Sequence, residues 1–482
     1  MALPRRYYNL LILALIVTSV TYLFFYRSSS SGFTYPAVEP SNDDLPLNFK
    51  SSENGAKHAR PDLETPTHVD EPAVTDIPAQ LPTTTPLNTV PDDAKQEVDK
   101  PVTSEVTRIA ITESGGSHDE VTAALIHAFG KQHDVEISTY LLLQRYGIRD
   151  IVHDFNLSSQ IVADKPSGAF EASLDGFPFP HVLVAVTCEI DIVELAKTYE
   201  ILLTEGKTFL FCVVHHAERW DEGVHVDKIK PWVENERIHF IGLSEHTANY
   251  LQEKCVPEWN MTVSVPIDSL PPVFPIAIEA PTERDTGLTF ALQGDYDAKR
   301  RNYTSTFEGL SEIINLAQNR SMGYNQSVTH NITLHLIGHG NDKPDVPAHL
   351  ESHVTFDEDV DYKTFYTLLS RTFTLLPSFA SDDYYDRKAS STVPAAFIAG
   401  APLVANTKLL EAYTYVPEDA AWKQEEGESE MDVVKRVVQL SRTEHEKKRN
   451  VVREVCGKLV ERNVELVGGW MKEGLLRIGM VA

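Results

Sequence analysis

The sequence predicts an α/β protein: two wound parallel-sheet domains facing a cleft, preceded by a transmembrane helix and a disordered stalk. Three observations carry this reading. A chain of 482 residues at 42% hydrophobic can bury more than one core, and single domains rarely exceed roughly 250 residues. From Thr107 onward, short apolar runs bounded by turn residues alternate with stretches of helical period, as parallel strands and crossover helices do. A proline-rich break from Pro266 to Pro281 interrupts the alternation, which then restarts.

In chain order, residues 1–9 form a short arm carrying Arg5 and Arg6. An apolar run from Leu10 to Tyr26 follows, about 17 residues, at the short end of what spans a bilayer. Positive charge before the run keeps the arm cytoplasmic and sends everything after Arg27 to the lumen, as a signal anchor does. A cleaved signal peptide is the competing reading, but the aromatic-rich end of the run offers no small-residue cleavage site. The triplets at Asn156, Asn260, Asn302, Asn319, Asn325 and Asn331 fit the N-glycosylation pattern, although chance supplies several in any long chain. Residues 27–104 are rich in Ser, Thr, Pro, Asp and Glu without helical or strand period. Such a stalk buries too little apolar surface to offset its ordering entropy.

The first folded half spans 105–270. IAIT (109–112), HVLVAVT (181–187), FLFCVV (209–214) and IHFIG (238–242) are its expected strands, with helices over 119–131, 191–205 and 245–254. A linker covers 271–286. In the second half, 287–482, the expected strands are LTFALQG (288–294), ITLHLIGHG (332–340), FTLLPS (373–378) and PLVA (402–405), and the chain is helical beyond Asp432. A net charge of -27 repels phosphate backbones, which excludes nucleic acid as a partner. The four cysteines lack CxxC spacing and are too sparse for a disulfide-stapled scaffold, leaving room for one or two bridges.

Ligands of open α/β sheets sit beyond the carboxyl ends of the strands, so chemistry is sought just after each one. After FTLLPS comes Asp386-Arg-Lys-Ala-Ser-Ser-Thr-Val-Pro, where Ser391 or Thr392 suits an N-cap and Pro394 falls in the first turn of a helix. Free amides at that helix start, the hydroxyls of Ser390, Ser391 and Thr392, and Lys388 make a cradle for a diphosphate. An ordinary N-cap beside a solvated Arg-Lys pair is the competing reading. Arg300 and Arg301 follow the first strand of this half, where guanidinium groups suit phosphate oxygens and a leaving diphosphate needs its charge neutralised.

With these residues in place, positions 107–482 resemble the GT-B glycosyltransferases of families 1 and 4. The strings LHLIGHG, VTFDEDVDYKTFYTLLSRTFTLLPS and AAFIAGAPLVAN are similar to that family's donor-binding half, and Ile111-Thr-Glu-Ser-Gly-Gly-Ser-His-Asp to its first glycine loop. The resemblance implies two Rossmann-like domains and a metal-independent transfer of sugar from a nucleotide sugar to a glycan, protein or lipid acceptor. No tightly bound cofactor is expected, and the charged arm and apolar run make the chain a type II protein of the Golgi or endoplasmic reticulum membrane. Gly294, Gly338 and Gly340 fall in the donor-side loops, and Gly115 and Gly116 in the acceptor-side loop. The chain departs from family 4 where that family carries two glutamates: Ala395 and Ser381 stand there, so retention of anomeric configuration is not implied.

Glycosyl transfer needs a base, or a leaving phosphate that takes the acceptor proton. His118, His215 and Glu113 are the candidates, each at or just past a strand end. Asp359-Val-Asp361 matches a metal-binding Asp-x-Asp pattern, but Asp361 is placed to cap the helix that follows it, and no metal is expected. The competing function is a catalytically inactive lumenal binding or chaperone module that keeps the fold.

Overall fold

A computed structural model describes residues 106–175, 178–221, 223–278, 288–318 and 332–480. The expected arm (1–9), span (10–26) and stalk (27–104), the sequons at Asn319, Asn325 and Asn331, and the end of the linker lie outside the described residues. Among the described residues no helix is long and apolar enough to cross a membrane.

The first sheet has seven strands: β1 (Thr107–Glu113), β2 (Val135–Leu141), β3 (Ile161–Pro166), β4 (Val182–Ala185), β5 (Phe209–Val214), β6 (Ile238–Gly242) and β7 (Ile267–Ser269). They pair in parallel, in the order β3-β2-β1-β4-β5-β6-β7. VLVA of β4 and FLFCVV of β5 are buried along their whole length, as strands covered by helices on both faces must be. The connecting helices are α1 (Asp119–Gly130), α2 (Ile148–His153), α3 (Phe170–Ser173), α4 (Cys188–Glu194), α5 (Ala196–Thr204), α6 (Val224–Glu234) and α7 (Glu245–Tyr250). The helix expected over 191–205 starts earlier, at Cys188, and breaks at Leu195, whose φ of -103° and ψ of 23° leave the helical region.

The second sheet is smaller: β8 (Leu288–Gln293), β9 (Ile332–Gly338), β10 (Val354–Glu358) and β11 (Thr374–Leu376), all parallel in the order β10-β9-β8-β11. PLVA does not add a full strand to it. It pairs as β12 (Val404–Ala405) with β13 (Trp422–Lys423), and a single bridge between Leu375 and Leu403 joins it to β11. The helices of this half are α8 (Tyr303–Gln318), α9 (Tyr362–Arg371), α10 (Asp383–Asp386), α11 (Thr392–Ala399), α12 (Thr407–Ala412), α13 (Glu430–Val437) and α14 (Arg442–Arg477).

Two segments cross between the halves. Residues 271–278 carry Val273 and Phe274 into the core, where the Phe274 ring meets Phe155 of the first half and Tyr366 of the second. Helix α14 packs on α11 and then returns to the first half: Gln132 donates to the Val464 carbonyl at 2.9 Å, Trp470 lies on His239, and Arg477 pairs with Glu236. A disulfide joins Cys188 to Cys212, while Cys255 and Cys456 are free and buried.

Strand order reverses between β1 and β4 in the first sheet and between β8 and β11 in the second. Crevices of open α/β sheets form at such switch points.

Candidate active site

Glu113 ends β1 and opens the first crevice. Gly115 and Gly116 follow it; Gly116 has a φ of 68°, and its carbonyl accepts from Arg145 Nη2 at 2.6 Å. The turn delivers His118, also left-handed, to the start of α1. Its ring lies 4.0 Å from that of His215, which stands just past β5. His215 Nε2 donates to the Val186 carbonyl at 2.8 Å.

Burial, reinforced by the charges of His215, His216, Arg300 and Arg145, holds His118 well below the ordinary histidine range. Burial lowers His215 to about 4. Both rings are therefore neutral near pH 7. Glu113 moves the opposite way: burial, then the charge of Asp191, pushes it up to about 8, so it keeps its proton.

The second crevice opens after β8. Gly294 has a φ of 128° and Gly340 one of 134°. Gly338 lies so close to the neighbouring loop that a Cβ there would sit 2.0 Å from the Gly294 carbonyl oxygen, and only glycine fits. Arg300 is partly exposed and donates to Asp295 at 3.0 Å and to the Tyr384 hydroxyl at 2.8 Å; Asp295 also meets His339 at 3.3 Å.

Arg301, expected at the diphosphate, is enclosed by protein groups. It is 2% exposed, donates to the Gln293 carbonyl and to Thr392 Oγ1 at 3.0 Å, and lies over the rings of Phe379 and Tyr384. Ser390 and Thr392 are buried with it. Tyr413 accepts the Ser390 amide at 2.9 Å, Ser390 Oγ accepts the Thr392 amide at 3.3 Å, and Thr392 Oγ1 donates to Gln293 Oε1 at 2.8 Å. Ser391 holds the N-cap position of α11 in helical geometry without capping it, and its hydroxyl accepts from Gln293. The helix start is thus tied to β8 by side chains, and of the cradle expected there Ser391 and Lys388 remain partly exposed.

The two crevices face one another. His216 and Lys388 pair through their backbones in an antiparallel bridge. Lys388 Nζ lies 3.5 Å from Glu218 Oε1 and 3.9 Å from Asp383 Oδ2. Burial opposes ionisation of Glu218, but the hydrogen bond and charge of His216, together with Lys388, outweigh it and hold its carboxyl below the ordinary range. Its Oε2 is buried without a hydrogen-bond partner. Elsewhere along the cleft Tyr362 donates to Glu120 at 3.2 Å, Tyr146 to Asp359 at 3.0 Å, and both ring nitrogens of His246 lie 3.0 Å from second-half carbonyls, those of Ala412 and Lys388.

Asp361 caps α9 as expected, accepting the Thr364 amide at 3.0 Å, and Asp359 is engaged by Tyr146. Asp382 and Asp383 pair with Lys408 and with Arg387. Among the described residues no group of three or more His, Cys, Asp or Glu gathers as a metal site. Sequence reasoning missed Glu189 and His246, because each meets its partners only once distant segments are folded together.

No family model matches the chain, and no curated protein matches it. Among solved structures it is similar to HepE of Anabaena in complex with UDP, at 11% identity and a TM-score of 0.44, covering 77% of this chain and 99% of that one. It is similar to the apo lipopolysaccharide outer core galactosyltransferase WaaB at 15% identity and a TM-score of 0.43, covering 74% and 98%. Sucrose-phosphate synthase from Thermosynechococcus elongatus gives 13% identity and a TM-score of 0.46, covering 76% and 98%. By its own strands, the chain is an α/β protein whose two parallel sheets present their switch points to one cleft.

Proposed function

We propose that residues 106–480 form a glycosyltransferase, with a nucleotide sugar as co-substrate and a glycan, glycoprotein or glycolipid as acceptor. One observation carries this: partly exposed Arg300, Lys388 and Ser391 at the second switch point lie across the cleft from the paired rings of His118 and His215 and from Glu113 at the first. The diphosphate of the donor lies beside Arg300 and Lys388, whose charge stabilises the leaving group as it forms. Lys388 can turn to it because its contacts with Glu218 and Asp383 are long. A neutral imidazole of the His118–His215 pair takes the acceptor proton. No tightly bound cofactor or metal enters this scheme, since the two cations supply the positive charge.

A thermal-shift screen of nucleotide sugars against the full chain tests the reading, because a ligand of the native state raises the melting temperature. With the best donor, Arg300→Ala and Lys388→Ala should each slow turnover about a hundredfold. Wild-type rates in both variants would remove the two cations from the mechanism. A binding module without catalysis is the second reading. It is favoured by the way Arg301, Ser390 and Thr392 are engaged by protein groups rather than presented to the cleft. Stabilisation by a nucleotide sugar without any turnover supports that module.

We also propose a type II membrane protein of the Golgi or endoplasmic reticulum, anchored by residues 10–26 with this unit in the lumen. Support comes from the apolar run itself, from the Cys188–Cys212 bridge, which suits an oxidising compartment, and from exposed sequons at Asn156 and Asn260.

A further inference from the structure

The segment Val186–Asp191, where the chain leaves β4, holds both acceptor-side loops at once. Thr187 Oγ1 accepts the amides of Ser114 and Gly115 at 3.2 and 3.3 Å and donates to Asp191 at 3.3 Å. Glu189 Oε1 accepts the backbone amides of His215 and His216 at 2.8 and 2.9 Å and the Trp220 indole N–H at 3.4 Å. The Val186 carbonyl meets the His215 ring, and the Cys188–Cys212 bridge ties the same segment to β5.

Glu189 is 3% exposed, and its partners are neutral N–H donors on the turn that carries both histidines. Removing it would strand two backbone amides in the interior, at a cost comparable to lost hydrogen bonds, and the turn would shift to find other partners. A side-chain amide at the same position has an oxygen that can accept the same bonds.

We propose that Glu189 is the positioning residue of the cleft: it fixes the His215–His216 turn so that His215 keeps its proton on Nε2, against Val186, and presents Nδ1 as its lone-pair nitrogen. This rests on the glycosyl-transfer reading of the same site. The neutrality of His215 fits it, since a neutral ring has one N–H and the Val186 carbonyl claims it. The His118 ring lies against the ring so held, 4.0 Å away and tilted by 35°.

Nitrogen-15 NMR of histidine-labelled full chain, joined to hydrolysis of a panel of UDP-, GDP- and CMP-sugars, tests the proposal. The wild type should show His215 as the Nε2–H tautomer at pH 7. Glu189→Ala should mix the tautomers and lower kcat about a hundredfold, the loss expected when a reacting group moves by about 1 Å, with the donor KM nearly unchanged. Glu189→Gln should restore both readouts. An Nδ1–H tautomer in the wild type overturns the proposal, as does Glu189→Ala at wild-type kcat or Glu189→Gln as slow as Glu189→Ala. If Glu189→Ala fails to fold, the wild-type tautomer and Glu189→Gln decide. If the wild type hydrolyses no nucleotide sugar, the glycosyl-transfer reading falls, and the tautomer alone decides whether the turn is held as described.

Discussion

Glu113 illustrates what the fold does to a single side chain. Its carboxyl is 2% exposed, and burial with the nearby Asp191 raises its pKa from 4.5 to about 8. In the unfolded chain it ionises above pH 4.5, whereas the folded chain keeps the proton until about pH 8. Between these values the folded state binds more protons, so this group makes stability fall with rising pH and then level off. Glu113→Gln should remove that slope, on the order of a few kcal/mol between pH 5 and 9, read by denaturant melts at each pH. An identical pH dependence in wild type and variant would show that Glu113 is ionised in the folded protein. Its position at the end of β1 was legible, because β1 is an apolar run followed by Gly-Gly; its protonation was not, since Asp191 lies on α4, far along the chain, and comes near only in the fold. Arg301 is the opposite case. A basic residue just past a strand end reads as a phosphate ligand, but Gln293 and Thr392, which lies 91 positions away, enclose it.

Among elements, the strands buried on both faces were the most legible: FLFCVV and IHFIG fold over the residues expected of them. VEISTYL and IVADKP carry polar residues among the apolar ones and pair toward or at the sheet edge, so β2 and β3 show only once β1 is in place. The pairing of four cysteines was equally hidden, because it depends on which strand lies beside which. Cys188 at the head of α4 meets Cys212 because β4 and β5 are neighbours. The bridge closes a loop with a sequence separation of 24, for which chain entropy gives about 3 kcal/mol. Replacing both cysteines by alanine should therefore lower unfolding stability by about that much under non-reducing conditions. Equal denaturation midpoints for the two proteins would mean that α4 and β5 are held by packing alone.

On the scale of the whole molecule, the two parallel α/β sheets were legible in the alternation of apolar runs, whereas the path of the last helix was not. Its charges surround the apolar positions on every side, and nothing in its sequence says which half it covers. The proposed lumenal placement makes its own prediction. Asn156 and Asn260 are exposed, so expression of the full chain through a secretory host should yield a protein whose mobility shifts on glycosidase treatment. Asn156→Gln and Asn260→Gln should each remove one step of that shift. A chain bearing no glycan at either site would count against delivery to the lumen.

Helix α14 and residues 271–278 both pass from one half to the other. A body hung from a single strand can swivel in any direction, but one hung from two can swing only about the line through both, like a door on two pins. Two crossings therefore restrict how the Lys388 and His216 sides could part more than a single one would.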